Sequence, residues 1–203
     1  ERGAAVGGTW HWNRFPGCAC DVLSVPYLPF LHRVGLAPTS KFVDGAEIQR
    51  HVQHMAQHLY DIDLTTRVKF NTAVTKLCFN DRWASDGAPQ WTVEMTPWKA
   101  QKIHHIAMGK PPTPMATTTT TTTVTCSNVI LALGLLATPS FPPVKHLNSF
   151  RGQIMHTAQW DDSIELDGKT VGVVGTGATA VQVSPALAKR VKKLVVFQRT
   201  PCW

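Results

Sequence analysis

The sequence predicts an α/β fold organised around a dinucleotide-binding unit. The segment "DGKTVGVVGTGATAVQVSPALAKRVKKLVVFQRT" has the pattern of a strand, a glycine-rich turn, a helix and a returning strand. Earlier in the chain, "GAEIQRHVQHMAQHLYDI" repeats apolar residues at helical spacing and predicts an amphipathic helix of about four turns. The chain is 43% hydrophobic and 16% charged, which is typical of a folded protein with one sizeable core or two small ones.

The glycine-rich turn has the pattern G-x-G-x-x-A, formed by Gly175, Gly177 and Ala180. In such a turn the first glycine allows the tight bend, and the second lets the backbone approach a pyrophosphate. The small third residue lets the helix pack on the strand. Because the helix N-terminus attracts anions, we expect a bound dinucleotide here. The expected contacts are Gly175, Thr176, Gly177, Ala178, Thr179, Ala180 and Gln182.

The end of the second strand indicates which dinucleotide binds. An NAD site usually has Asp or Glu about twenty residues beyond the glycines, to bind the ribose 2′-hydroxyl. This chain has Gln198, Arg199 and Thr200 there instead. Arg199 can form two hydrogen bonds with a 2′-phosphate, and Thr200 can donate one, so the sequence predicts NADP. The alternative is that Arg199 is a solvated surface residue.

The remaining segments predict a second, mainly β region. We expect a strand pair in "RVKFNTAVTKLCFN", a strand in "QWTVEMTPW" and another near Val124, while residues 1–42 read as loops. The apolar run "VILALGLLA", residues 129–137, predicts a buried strand and is too short to span a bilayer. Residues 99–123 include seven consecutive threonines and predict a poorly ordered hairpin tip.

Charge and cysteine usage narrow the function classes. The net charge is +7, but Lys189, Arg190, Lys192 and Lys193 end a predicted helix, where cations are favourable, so we expect no nucleic-acid partner. The five cysteines are scattered and match no common zinc spacing. Reduced thiols in a cytoplasmic protein are the expectation, with no signal peptide and no membrane span.

Three histidines, His51, His54 and His58, can share one face of the predicted amphipathic helix. Such a face could hold a metal ion, but no carboxylate or cysteine motif joins it. We therefore expect solvated histidines on an exposed helix face and no metal.

The segment "FRGQIMHTAQWD" carries a resemblance to a known family. Phe150, Gly152, His156 and Trp160 fit F-x-G-x-x-x-H-x-x-x-W, and Asp161 follows. This pattern resembles the fingerprint of type I Baeyer–Villiger monooxygenases. Related enzymes that oxidise nitrogen or sulfur have a different aromatic residue at the position of Trp160. The segment "GGTWHWNRFPGCACDVLSVPY" also resembles the flavin-cradling part of these enzymes, particularly the fungal ones.

The resemblance implies a flavoprotein with two dinucleotide-binding domains, one for FAD and one for NADP. Residues 1–148 would be a Rossmann-like FAD domain without its first βα unit, whose phosphate-binding turn would precede Glu1. Residues 149–203 would begin the inserted NADP-binding domain. Glu1 would be the acid that binds the adenosine ribose of FAD.

The resemblance also implies roles for individual residues. Asp21 would help to position a catalytic arginine that lies beyond the chain, and His156 and Trp160 would affect how NADPH oxidation is coupled to oxygen chemistry. The implied FAD contacts are Glu1, Gly8, Thr9, Trp10, His11, Trp12, Asp21, Tyr27, Val74 and Gly134. The implied NADP neighbours outside the glycine-rich turn are Ala19, Cys20 and Asp21.

The implied activity is insertion of one oxygen atom from O2 into a small-molecule ketone, giving an ester or lactone with FAD and NADPH as cofactors. Two alternatives stay open. The enzyme could oxidise nitrogen or sulfur, or the chain could be an inactive, truncated remnant with at most residual NADP binding. The sequence indicates neither the particular ketone nor the oligomeric state.

Overall fold

The computed structural model contains two sheets and six α-helices in the part of the chain that it describes. The described residues are 1–59, 63–83, 89–98, 120–136 and 139–200. The larger sheet has three antiparallel strands, and the smaller has two parallel strands. The predicted α/β class is confirmed.

The first forty residues, predicted as loops, contain three single helical turns. These turns are α1 (Thr9–Trp12), α2 (Ser24–Tyr27) and α3 (Leu31–Val34). Main-chain hydrogen bonds hold the segment in place: the N–H of Cys20 donates to the carbonyl of Val43 at 3.0 Å, and the N–H of Gly45 donates to Cys18 at 2.8 Å. The segment is therefore an ordered layer across the start of the next helix.

The predicted amphipathic helix is confirmed as α4 (Gly45–His54), which continues into a π-helical turn over Met55–Leu59. Asp44 caps its start by accepting a hydrogen bond from the N–H of Glu47 at 2.7 Å. Ile48 lies on the buried face. The short helix α5 (Leu64–Arg67) follows and is capped by Asp63.

His51 differs from the expectation of a solvated histidine face. Its side chain is only 3% exposed, and its Nε2 lies 2.9 Å from the carbonyl oxygen of Pro29. A carbonyl can only accept, so Nε2 carries the proton and donates it. His51 is buried because it lies one turn after Ile48 on the same apolar face and has a main-chain partner there. His54 and His58 lie side by side, with ring centroids 4.3 Å apart.

The three-stranded sheet consists of β1 (Thr72–Trp83), β2 (Pro89–Pro97) and β3 (Thr122–Cys126), in that spatial order. The predicted strand pair in residues 67–80 is wrong in detail, because β1 is one continuous strand that pairs with β2. The strands predicted in "QWTVEMTPW" and near Val124 are confirmed as β2 and β3. Most of the threonine-rich insert lies outside the described residues, and only Thr122 and Thr123 enter β3.

The prediction of a buried strand at residues 129–137 is wrong for the described part of that segment. Residues 129–136 have no regular secondary structure, and Ile130 and Leu135 are 91% and 99% exposed. A buried parallel strand needs neighbouring strands for its main-chain hydrogen bonds. None of the described strands pairs with this segment, so its apolar side chains have no surface to pack against.

The predicted dinucleotide-binding unit is confirmed as a βαβ unit. It consists of β4 (Thr170–Val174), α6 (Ala178–Ala188) and β5 (Lys193–Phe197), with β4 and β5 parallel and in register from Thr170–Lys193 to Val174–Phe197. The basic cluster follows the end of α6, as expected. Within it, Arg190 forms an ion pair with Asp167, with Nε 2.7 Å from Oδ1.

Two buried clusters form the core. The first contains Cys20, Leu28, Val43 and Ile48 and lies under α4, while the second contains Phe15, Val183 and Leu187 and lies under α6. Phe15 and Cys20 are only five residues apart, so one short loop reaches both clusters. No helix in the described parts of the chain is both long enough and apolar enough to cross a bilayer.

Replacement of Ile48 by alanine tests the first cluster. Ile48 is 2% exposed, so Ile48→Ala should lower the free energy of unfolding by about 2–5 kcal/mol, through lost burial and the cavity left behind. The matched control is Ile130→Ala, which should change it by about 0.5 kcal/mol or less. Urea denaturation followed by circular dichroism measures both, and equal losses would contradict the assignment of this core.

Candidate functional site

The glycine-rich turn between β4 and α6 has the geometry of an anion-binding turn. Gly175 has φ +116°, a conformation that favours glycine, and its N–H donates to the carbonyl of Phe197 at 2.9 Å. A Cβ atom at Gly175 or Gly177 would meet no atom within 4 Å. The space beside both glycines, before the N-terminus of α6, is therefore free of protein atoms.

The residues expected to select NADP lie beside this turn. Arg199 is exposed and follows the end of β5, and the amide of Gln198 donates to the carbonyl of Thr200 at 3.2 Å. Gly175 follows the end of β4 and is hydrogen-bonded to Phe197 at the end of β5. The turn and residues 198–200 therefore lie together at the carboxyl ends of the two parallel strands. Arg199 is thus exposed at the same end of the sheet as the glycine-rich turn.

The loop at residues 15–20 packs against α6, far from it in sequence. Phe15 is buried with Val183 and Leu187, and Cys18 packs beside them. Gly17 has φ +80°, and a Cβ there would lie 2.5 Å from the carbonyl oxygen of Gln182. The backbone of this loop therefore approaches the helix more closely than any other residue type would permit.

Hydrogen bonds join the same loop to the side chain of Gln182. Its Nε2 donates to the carbonyl of Ala19 at 2.9 Å, and its Oε1 accepts from the N–H of Ala19 at 3.3 Å. Ala19 and Cys20, expected near NADP, are thus next to the helix that begins at the glycine-rich turn. Asp21 follows them and is exposed.

The two cysteines of this loop, Cys18 and Cys20, lie in different surroundings. Burial, and then the negative charge of Asp44, raise the pKa of Cys18 to about 11. Cys20 is buried, and its Sγ donates to the carbonyl of Val22 at 3.2 Å. Among the described cysteines Cys18, Cys20, Cys78 and Cys126, all are free thiols, and only Cys20 is classed as buried. The thiol of Cys18 therefore stays protonated near neutral pH.

Two adjacent glycines precede α1 and have different surroundings. A Cβ at Gly7 would lie 1.8 Å from Oε1 of Gln49, whose Nε2 donates to the carbonyl of Val6. Gly8 has φ +54° and no atom within 4 Å of a Cβ position. The φ of +132° favours glycine at position 7, where the end of the Gln49 side chain lies close, whereas the space above Gly8 is free of protein atoms.

Helix α1 brings several of the expected flavin contacts together. The indole N–H of Trp10 donates to the hydroxyl of Tyr27 at 2.9 Å, and their rings meet edge to face. Burial raises the pKa of Tyr27, the hydrogen bond from Trp10 partly opposes this, and the negative charge of Asp21 adds to the rise, so the hydroxyl stays protonated. Thr9 accepts a hydrogen bond from Asn13 at 2.9 Å.

His11 and Trp12 lie on the side of α1 that faces the start of the chain. Burial, and then the nearby charge of Arg14, lower the pKa of His11. Trp12 meets Trp98 edge to face at 5.5 Å, and the guanidinium of Arg2 lies 5.0 Å from the Trp98 ring centroid. This aromatic cluster connects the first residues to the end of β2.

Glu1 and Val74 lie in the same region of the three-stranded sheet. The N–H of Thr72 donates to the carbonyl of Glu1 at 3.0 Å, and a carboxylate oxygen of Glu1 accepts from the N–H of Gly3 at 2.6 Å. Val74 is exposed and lies at a β-bulge. Gly134, also expected at the flavin, has φ +69° and open space around it, but no described contact joins it to the others.

The fingerprint segment contains one tight aromatic–glycine contact. The exposed ring of Phe150 covers Gly152, where a Cβ would lie 2.5 Å from a ring carbon. In this conformation the Phe150 ring occupies the place that a Cβ of residue 152 would take. Nearby, a carboxylate oxygen of Asp161 accepts from the N–H and the hydroxyl of Ser163, which fixes the turn after the segment.

His156 and Trp160 occupy the middle of the fingerprint. Nδ1 of His156 accepts from the N–H of Ala158 at 3.1 Å, and its ring meets Phe141 edge to face. Burial lowers the pKa of His156, while a hydrogen bond with the backbone of Ser140 partly opposes this. Trp160 packs on the cluster under α6, and its indole N–H donates to Asp162 at 3.0 Å. Through Trp160, the fingerprint segment therefore packs against the βαβ unit.

The chain matches the model of one protein family over most of its length. Residues 38–203 match the model of the flavin-binding monooxygenase-like family. The chain belongs to the flavin-binding monooxygenase-like family. The resemblance carried by the fingerprint and by the segment "GGTWHWNRFPGCACDVLSVPY" is thereby confirmed.

Characterised members of the flavin-binding monooxygenase-like family are similar over nearly the whole chain. The Baeyer-Villiger monooxygenase peniC of Penicillium patulum is 35% identical over 99% of this chain, and the polycyclic ketone monooxygenase of Thermothelomyces thermophilus is 36% identical over 99%. The chain spans 30% and 29% of their lengths. It therefore corresponds to less than a third of each relative.

Solved structures of flavin-binding monooxygenases agree with the fold. The structure of polycyclic ketone monooxygenase from Thermothelomyces thermophila superimposes with a TM-score of 0.79 at 34% identity, covering 98% of this chain and 30% of that one. A complex of OTEMO with FAD and NADP gives a TM-score of 0.74 at 32% identity, covering 100% and 34%. The α/β architecture therefore matches part of these enzymes.

Some residues that shape this flavin-binding monooxygenase-like site carry no motif. Phe15 and Gln49 fix the loop and the glycine pair, yet neither belongs to a pattern that marks such a role. The only sequence signal near them is "PGC" at residues 16–18, which indicates a turn but not the helix against which it packs. Within the described residues, no group of three or more His, Cys, Asp or Glu side chains could hold a metal ion.

The lowered pKa of His156 in this flavin-binding monooxygenase-like chain predicts a pH effect on stability. The folded state holds His156 neutral, so below its ordinary pKa of 6.5 the unfolded state binds more protons. The free energy of unfolding should therefore fall as the pH drops from 6.5 towards the lowered value.

Thermal unfolding of the wild type and of His156→Gln, each at pH 7.5 and 5.5, measures this effect. The acid-induced drop in Tm should be smaller in the variant, because glutamine does not titrate. His32→Gln, at an exposed position, is the matched control and should retain the full drop. A drop as large in His156→Gln as in the wild type would refute the assignment.

Proposed function

We propose that this chain is part of an FAD- and NADPH-dependent monooxygenase that inserts one oxygen atom from O2 into a ketone, giving an ester or lactone. The observation that carries the proposal is the open glycine-rich turn before α6, with Arg199 exposed at the same end of the sheet. The chain spans about 30% of its relatives, so the activity belongs to the complete protein.

NADPH would bind at the turn between β4 and α6. The main-chain N–H groups at the start of α6 would hold the pyrophosphate, and the open space at Gly175 and Gly177 leaves room for it. Arg199 and Thr200 would bind the 2′-phosphate that distinguishes NADPH from NADH. The complex of OTEMO with NADP, which matches the whole of this chain, supports the same cofactor.

FAD would bind along the first twelve residues and the start of β1. The open space at Gly8 and the hydrogen-bonded pair of Trp10 and Tyr27 support this placement, as do Glu1 and Val74 at the neighbouring strand. When both cofactors are bound, they supply the hydride transfer and the oxygen chemistry. The division into an FAD domain at residues 1–148 and the start of an NADP domain at residues 149–203 is part of this proposal.

The residues of this chain would bind and orient the cofactors rather than react. Asp21 is exposed at the end of the loop that packs on α6, where it can hold a cationic group near the two cofactors. His156 is held neutral by burial and receives a hydrogen bond from the backbone, so it would support the domain junction without transferring a proton. No residue of this chain is assigned as the catalytic arginine.

Trp160 favours ketone oxidation over nitrogen or sulfur oxidation, because the fingerprint of the ketone-oxidising enzymes has tryptophan at this position. The ketone named for the Thermothelomyces thermophilus relative supports the same substrate class. The test uses the complete purified protein with bound FAD, supplied with NADPH and either a cyclic ketone or a tertiary amine. Ester or lactone by mass spectrometry is expected, and oxidation of the amine alone would overturn the ketone assignment.

These 203 residues alone should not oxidise a ketone. The exposed leucines at residues 131–136 indicate that apolar surface is uncovered when the chain is isolated. Turnover of a ketone by the isolated chain supplemented with FAD and NADPH would contradict this expectation.

Replacement of Gly177 by alanine tests the dinucleotide site separately from folding. The added methyl group meets no protein atom, so the cost to stability should stay below about 1 kcal/mol, from the poorer N-cap alone. The same methyl group fills space that the pyrophosphate needs, so NADP+ affinity should fall at least about tenfold, or about 1.4 kcal/mol. Calorimetric titration and thermal unfolding measure the two effects, and unchanged affinity would contradict the site.

Replacement of Arg199 by alanine tests the preference for NADPH. Loss of charged hydrogen bonds to the 2′-phosphate should cost about 1.5–3 kcal/mol, which weakens NADPH by about 10- to 100-fold. Affinity for NADH should change by less than about twofold, because NADH has no 2′-phosphate. Arg33→Ala, at another exposed arginine, is the control. Equal losses for both coenzymes would remove the phosphate assignment.

A further inference from the structure

We propose that Gln182 is a positioning residue that fixes the loop carrying Asp21 against helix α6, rather than a residue that contacts NADP. This inference rests on the proposed function, because it concerns the placement of the two cofactors relative to each other. It assigns Gln182 an effect on the rate of hydride transfer and not on coenzyme affinity.

The hydrogen bonds of Gln182 carry the proposal. Its amide donates to the carbonyl of Ala19 and its carbonyl accepts from the N–H of the same residue, although the two residues are 163 positions apart. Both polar atoms of the side chain thus bond to main-chain atoms of Ala19. These bonds hold both polar atoms against the loop, which is the arrangement that a positioning role requires.

The packing around these bonds makes the contact specific. Gly17 lies against the carbonyl of Gln182, where a Cβ would be 2.5 Å away, and against Cβ of Ala186. Phe15 is buried beside Val183. The loop therefore meets α6 along one turn of the helix, with apolar contacts before Ala19 and the two hydrogen bonds at Ala19 itself.

The end of the loop is bonded to the segment before α4, through a β-bridge between Ala19 and Asp44, but the apolar contacts alone do not fix it to α6. Phe15 and Cys18 hold its first half on α6, while the N–H of Cys20 is bonded to Val43 on the other cluster. Gln182 is the described side chain that bonds to the backbone between them. Without it, residues 19–21 can shift relative to the glycine-rich turn, and Asp21 shifts with them.

Hydride transfer depends steeply on the separation and alignment of the reacting atoms, so a small shift between two cofactor-binding segments lowers the rate by large factors. Coenzyme affinity depends instead on the glycine-rich turn and Arg199, whereas both polar atoms of the Gln182 side chain bond to the main chain of Ala19. If Gln182 positions the loop, its loss should lower the rate of flavin reduction and leave the Kd for NADPH unchanged. If Gln182 contacts NADP, its loss should raise that Kd.

The test compares Gln182→Met with Gln57→Met in the complete flavin-containing protein. Methionine keeps the length of the side chain and removes both hydrogen bonds, and Gln57 is exposed on the π-helical turn. For Gln182→Met we expect the rate of flavin reduction by NADPH to fall at least tenfold, with the Kd for NADPH changed less than twofold. Gln57→Met should match the wild type in both.

A second measurement follows the loop directly by hydrogen–deuterium exchange. Amide exchange at Ala19 should rise at least tenfold in Gln182→Met, while the N–H of Gly45, bonded to the neighbouring Cys18, should stay as protected as in the wild type. A raised Kd with an unchanged rate would overturn the proposal in favour of a coenzyme contact. An unchanged rate with unchanged exchange at Ala19 would also overturn it.

Failure of the proposed function is distinguishable from failure of this inference. If the wild-type protein holds no flavin and does not oxidise NADPH, the proposed function is wrong. Exchange at Ala19 then decides the positioning role alone: a rise in Gln182→Met supports it, and no change overturns it.

Discussion

The close approach of the loop at residues 15–19 to helix α6 is the constraint on which the rest of this structure depends. Phe15 enters the cluster under α6, and Cys20, five residues later, enters the cluster under α4. Gly17 makes the approach possible, since any side chain there would overlap the backbone of Gln182. The segment expected at the flavin and the βαβ unit expected at NADP are joined through this short stretch.

The glycines of this chain separate into two groups by what surrounds them. At Gly7, Gly17 and Gly152 an atom of another residue occupies the place of a Cβ, and at Gly17 that atom belongs to the backbone. Gly8, Gly175 and Gly177 face open space, as do Gly35, Gly134 and Gly168, so no neighbouring protein atom requires glycine at these positions. Space that the protein leaves unfilled beside a positive φ or a helix N-terminus is what a bound cofactor requires.

The parts of the fold that could be predicted are those whose signals are local. The βαβ unit and α4 follow from patterns within continuous stretches of the chain, and both are confirmed. The prediction of a buried strand at 129–137 failed because such a strand depends on neighbouring strands, which a local pattern does not contain. His51 failed for a similar reason, since its partner, Pro29, lies on a different segment. The Gln182–Ala19 contact joins residues 163 positions apart, and no sequence pattern indicates it.

Recognition by the backbone explains how this site can persist while the sequence diverges. The glycine-rich turn offers main-chain N–H groups, and Gln182 bonds to the peptide of Ala19 and not to its side chain. Position 19 is therefore free to vary, as long as its backbone stays in place. This chain retains a TM-score of 0.79 with polycyclic ketone monooxygenase at only 34% identity. Conservation of backbone positions, with changing side chains between them, is the outcome that such a site permits.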